Sequence, residues 1–146
     1  MVAGLCTITP ASGYVGPAGA IVIGLSAGLV CYYSTYYLKQ KLKIDDSLDV
    51  FPVHGVGGIL GTFLAGIFAS TELGIFSGQG LADGVTTIGQ QLGVQLTGIF
   101  AVLTYTAIIT YILLKLIDLM IGLRVTEDEE TQGLDIVLHN ERGYDI

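Results

Sequence analysis

Residues 49–70 read DVFPVHGVGGILGTFLAGIFAS, and the reading of this stretch decides the fold. After Asp49 it contains no Asp, Glu, Lys or Arg, and His54 is its one ionisable side chain. A helix needs roughly 20 predominantly apolar residues to cross a bilayer, and the stretch supplies them. Pro52 is no obstacle, because the first four amides of a helix have no intrahelical partner to lose.

The rest of the chain follows the same pattern. No Asp, Glu, Lys or Arg precedes Lys39, and none lies between Gly84 and Leu114. Spans are therefore expected at about 14–38, 49–70 and 85–123. Charged residues make up 13% of the 146 residues, against roughly 25% in ordinary soluble proteins. This excludes a disordered chain, a nucleic-acid-binding surface and a charged soluble domain. The net charge of -7 is concentrated in a polar tail that opens with Glu127, Asp128, Glu129 and Glu130. The expected organisation is a transmembrane region over 1–125 and a tail over 126–146.

The first span is entered through the turn-rich Thr9-Pro10-Ala11-Ser12-Gly13 and closes on Tyr32, Tyr33, Tyr36 and Tyr37 followed by Lys39, Lys41 and Lys43. Aromatic rings at headgroup depth with cations beyond them mark a membrane interface. The charge-free part of the third span is roughly 46 Å long as a helix, more than a hydrocarbon core of about 30 Å. It must tilt, kink or protrude. Lysine and arginine set the orientation: the Lys39–Lys43 link and the end of span three, with Lys115 and Arg124, are expected on the cytoplasmic side of a cell membrane. The link from Thr71 to Gly84, which carries no cation, is expected outside. Met1–Ile8 is apolar, yet as a helix it reaches only about 12 Å. It reads as the outer end of an earlier span, with a short re-entrant piece as the alternative.

Cys6 and Cys31 lie in apolar sequence without CxxC spacing and read as small buried hydrophobes. Met1–Ile8 lacks the basic leading segment of a signal peptide. No GxSxG elbow, P-loop, HExxH or dinucleotide fingerprint is present, so no enzyme, metal or cofactor is expected.

His54 is different in kind. A polar group at membrane depth is costly and normally faces protein or a water-filled path. Steps of three and four from His54 reach Gly57, Gly58, Gly61 and Ala65, while the opposite stripe holds Ile59, Leu60, Phe63 and Ile67. Small residues let helices approach, so the His54 stripe is expected to pack inward, with Gly57, Gly58 and Gly61 at the contact. A neutral imidazole there would line a path for a small polar molecule or relay a proton; the structural alternative is a hydrogen bond that holds helices together.

The segment Asp45-Asp46-Ser47-Leu48-Asp49-Val50-Phe51-Pro52-Val53-His54-Gly55-Val56-Gly57-Gly58 resembles the ammonium transporter (Amt/Rh) family. So do Ile8-Thr9-Pro10-Ala11-Ser12-Gly13-Tyr14-Val15-Gly16, Gly122-Leu123-Arg124-Val125 and Gly133-Leu134-Asp135. The resemblance implies an all-α membrane protein in which three helices and the end of a fourth form the later part of an eleven-span, homotrimeric transporter. It implies that His54 is the second of two pore histidines that accept or relay the ammonium proton. Val50 would line the pore one turn away, with Asp49 and Phe51 near its cytoplasmic exit. The partners implied are ammonium or ammonia, the lipid bilayer, N-terminal spans of the same transporter, and a PII-type signal protein at the tail. The tail residues concerned are Thr126, Glu129, Gly133, Leu134, Asp135, His139 and Tyr144. Thr126 and Glu129 have the spacing of a helix capping box. Asn140 departs from the family pattern, which commonly has Gly there. The competing readings are a Rh-like channel for a neutral gas or amine and a small structural subunit of a multi-span complex.

Overall fold

The computed structural model describes residues 1–144; positions 145 and 146, the end of the expected tail, lie outside the described residues. Those residues are helical, with no strand among them. The helices are α1 (Val2–Ile8), α2 (Pro17–Tyr36), α3 (Gly57–Phe68), α4 (Ile88–Ile121), α5 (Glu127–Gln132) and α6 (Leu134–His139). A 3-10 turn, Thr9–Ala11, follows α1, a π-helical turn, Tyr37–Lys41, continues α2, and a second π-helical turn, Phe51–Val56, leads into α3. Three stretches are long and apolar enough to cross a membrane: Pro17–Lys41, Phe51–Phe68 and Ile88–Ile121. The chain divides into two compact units, Met1–Val102 and the part from Leu103 onward.

In the first unit, Pro17 occupies the opening turn of α2, where a missing amide hydrogen costs nothing. The buried residues of α2 are Gly19, Ile23, Ala27 and Cys31, one per turn, so the helix buries a narrow stripe. Gly19 lies against Phe68, and Ile23 joins Ala11 and Ala65 in a core edged by Ile8, Val15, Leu64 and Phe68. The buried face of α3 is Gly57, Gly61, Ala65 and Gly66.

Against that face lies α1. Thr7 is fully buried; a Cβ on Gly57 would stand 2.8 Å from its hydroxyl oxygen, and one on Gly61 would overlap its carbonyl. The Thr7 backbone and side chain can come this close only because α3 bears no side chain at the crossing. Gly58 faces open space. Helical periodicity placed it on the packed stripe, but contact follows the four-residue step from Gly57 through Gly61 to Ala65, roughly 100° around the helix from Gly58.

The link after α3 is fastened back onto the helix. The amides of Gly78 and Gly80 donate to the carbonyls of Ser70 and Ala69 (2.9 and 2.7 Å), and Gln79 donates to Tyr14 (2.9 Å). The first two bonds occupy carbonyls that the end of α3 otherwise leaves unpaired. Gln91, buried near the start of α4, accepts from the Ala82 amide at 3.1 Å.

In the second unit every residue from Leu103 to Arg124 is exposed, and most are apolar. The tail begins with a complete capping box: the Thr126 amide donates to the Glu129 carboxylate at 2.8 Å, and the Glu129 amide donates to the Thr126 hydroxyl at 3.4 Å. Arg124 grips Glu130 through two nitrogens, at 2.8 and 2.9 Å. Asn140, which ends α6, has φ of 52°. That left-handed conformation favours Gly at a helix end and tolerates Asn next best.

The glycine contact is testable in the full-length protein purified in detergent. Gly61→Ala should destabilise the fold by about 1–3 kcal/mol through overpacking. Gly58→Ala, with space to fill, should stay within about 0.5 kcal/mol. Thermal unfolding of the two variants checks the ordering, and equal losses would remove Gly61 as the contact.

Candidate functional site

His54 sits within the π-helical turn Phe51–Val56, directly after which α3 begins its regular course at Gly57. Such turns widen the helix locally and recur at functional sites. Its Nδ1 lies 3.3 Å from the sulfur of Cys6, brought there by α1. Cys31 is buried, as a small hydrophobe would be, whereas Cys6 is half-buried and meets the imidazole. No sequence signal links positions 48 residues apart, and the contact was not legible before the fold.

The residues preceding His54 form a tied entrance to the helix. The Asp46 carboxylate accepts from the amides of Val50 (2.9 Å) and Phe51 (2.8 Å). Those two hydrogen bonds, Phe51 first, hold its carboxyl below the usual carboxylate range, with Lys39 adding a smaller pull in the same direction. Asp49 takes a φ of 55°, a left-handed conformation that Asp tolerates better than most residues. Its carboxylate meets Lys39 at 2.7 Å, which joins the end of the first long helix to the start of the second. Both side chains are about one-third exposed, so the pair fixes geometry more than it adds stability.

Val50 and Phe51 are exposed in this chain, as is His54, and the Phe51 ring lies against Gly55. Asp49, Val50, Phe51 and His54 thus all lie within one helix entrance, residues 49–54. Gly57 and Gly61 lie further along that helix, under Thr7 of α1. A cavity of about 370 Å³ lies elsewhere in this unit, edged by Pro10, Tyr14, Ala65, Ala69, Gln91 and Gln95, and includes none of the expected pore residues. Among the described residues no three His, Cys, Asp or Glu side chains converge as metal ligands.

The tail residues are brought together locally. Thr126 and Glu129 form the cap of α5, and the Thr126 amide and hydroxyl hold the Glu129 carboxyl low. The hydrogen bond from Arg124 does the same for Glu130. Gly133 has φ of 95° and separates α5 from α6, which contains Leu134, Asp135 and His139; Tyr144 is exposed beyond it.

Residues 1–144 match the model of the Ammonium Transporter Family. A putative ammonium transporter of Methanothermobacter thermautotrophicus is 48% identical over 145 residues, covering 98% of this chain and 35% of the relative. An ammonium transporter of Bacillus subtilis is 38% identical over 143 residues, with the same two coverages. Ammonium transporter Amt1 of Archaeoglobus fulgidus is 42% identical over 143 residues. The chain spans about a third of the length of these relatives.

Asp46 gives a test of the helix entrance. A carboxyl held low in the folded state stabilises it above the unfolded pKa, and the contribution disappears as pH falls through the folded value. NMR titration should place the Asp46 carboxyl below the usual carboxylate range. Asp46→Ala should speed amide hydrogen exchange at Val50 and Phe51, and unchanged exchange would dismiss the cap.

Proposed function

Because the chain belongs to the ammonium transporter family, we propose that it is the part of an ammonium-conducting membrane protein that contributes one histidine to the pore. The observation that carries the reading is His54, the one imidazole in a membrane-length apolar stretch, held in a π-helical turn whose first residues are capped by Asp46.

The physical need is plain. Ammonium carries a full charge, and a charge at mid-bilayer costs about 2.5–3.5 kcal/mol even on lenient scales. Losing the proton before the apolar part of the path removes that cost and excludes potassium, which has no proton to lose. An imidazole is suited to this exchange because it both donates and accepts near neutral pH. His54 accepts or relays the proton, Val50 lines the path one turn away, and Asp49 and Phe51 stand at the exit. In this reading the transporter has eleven spans and is a homotrimer, with the Lys39–Lys43 link and the tail in the cytoplasm of a plasma-membrane protein. The lysines and tyrosines at the end of the first long helix support that orientation. Family membership over nearly the whole chain does not favour a separate structural subunit.

The tail is the docking surface for a PII-type signal protein. Support comes from its two short helices, whose exposed Leu134, Ile136 and Leu138 stand beside an acidic first turn. A capped and charge-paired start at Thr126 and Arg124 gives that surface a defined beginning.

Two outcomes follow for the full-length transporter. His54→Ala should lower ammonium conduction by about tenfold or more, the loss of a hydrogen bond to a charged group at the barrier. Uptake and ammonium-over-potassium selectivity in proteoliposomes report it, and wild-type values would remove the role. Deleting 126–146 should abolish co-purification with the PII-type protein while leaving trimer assembly intact; undiminished association would end the docking reading.

A further inference from the structure

We infer that the cavity between the end of α3 and the start of α4 holds one membrane phospholipid by its phosphate and ester oxygens, with the Gln91 carboxamide as the donor that recognises them. The site is separate from the proposed pore: none of Asp49, Val50, Phe51 and His54 lines it.

Three helix ends meet around this cavity. Ala65 and Ala69 come from the end of α3, Gln91 and Gln95 from the start of α4, and Pro10 and Tyr14 from the turns that lead into α2. Where one membrane-length helix ends and the next begins, the depth is that of the boundary between hydrocarbon and water, where lipid head groups lie. The walls are tied in place, because the link over the cavity gives the amides of Gln79 and Gly80 to the carbonyls of Tyr14 and Ala69. Gly66 leaves room for the two glutamine stems: a Cβ there would stand 3.0 Å from Cγ of Gln95 and 3.7 Å from Cγ of Gln91. The volume of about 370 Å³ falls within the roughly 300–1,000 Å³ of ordinary ligand sites.

Gln91 decides what kind of ligand fits. It is 7% exposed and lines the cavity. The Ala82 amide can only donate, so the Gln91 atom that meets it at 3.1 Å is the carbonyl oxygen, and the orientation of the carboxamide is fixed. Nε2 has no acceptor among the described residues, and a donor left unmet at this burial is costly. Gln95, one turn on, brings a second carboxamide to the same cavity. No charged side chain among the described residues lines it. A cation would face the fixed N–H, and a free phosphate dianion would find no cation to pair with. A phosphodiester or ester oxygen accepts from Nε2, while the acyl chains run along the exposed apolar surface of α4 that begins at Val94.

The test uses the full-length transporter purified in detergent, native mass spectrometry to count retained lipid, and dioleoylphosphatidylcholine as the probe, whose head group has no hydrogen-bond donor. Wild type should retain one molecule per protomer after the exchangeable lipid is lost, and millimolar inorganic phosphate should not displace it. Gln91→Glu keeps an oxygen for the Ala82 amide but replaces the donor by a negative charge, and should weaken retention by about tenfold or more. Val94→Phe adds bulk at the rim from an exposed position and should weaken retention as well. Amide exchange at Ala82 should be unchanged in Gln91→Glu; if it quickens, the link has opened and Val94→Phe decides. Equal retention in wild type and both variants overturns the inference. So does displacement by inorganic phosphate, which marks a free-anion site, and so does the absence of retained lipid in wild type, which marks a cavity filled by water or by another span.

Discussion

The close crossing of α1 over α3 is the constraint on which the first unit depends. In lipid, apolar side chains gain little from leaving one apolar surroundings for another, so helices hold together by contact and by polar bonds. Gly57 and Gly61 permit that contact because the Thr7 backbone and hydroxyl occupy the space of the side chains they lack. The crossing also fixes the register between two segments far apart in sequence, and so brings a thiol to an imidazole.

The parts of this architecture that were legible in the sequence are those written in one dimension. Gaps between charges depend on composition alone, and they announced three membrane-length helices. Thr126 and Glu129 are three residues apart, so their reciprocal cap is a local fact that needs no knowledge of the fold. Gly57 and Gly61 followed from helical spacing. Gly58 shows the limit: periodicity gives a stripe about a quarter-turn wide, and the neighbour's position decides which edge is touched. Cys6 and His54 are joined only by tertiary placement, and Asp46 looked like loop sequence until its carboxylate met the amides of Val50 and Phe51.

Charge is used sparingly at the entrance to the His54 helix. Lys39 binds Asp49, while Asp46 spends its two oxygens on backbone amides. The helix therefore starts at a fixed point despite Pro52, whose ring removes one amide from the same turn. A negative charge at this end also complements the partial positive charge of the helix N-terminus.

The link between Thr71 and Thr87 divides into unequal parts. Gly78, Gln79 and Gly80 give their amides to the carbonyls of Ser70, Tyr14 and Ala69, and a side chain on Gly78 would overlap the backbone at Tyr14 and Phe68. Gly74 and Gly84, by contrast, have open space around them. Sequence drift should therefore be uneven along this connection: length changes can accumulate on either side, while the central three residues act as a splice joining two helix ends and must keep their number.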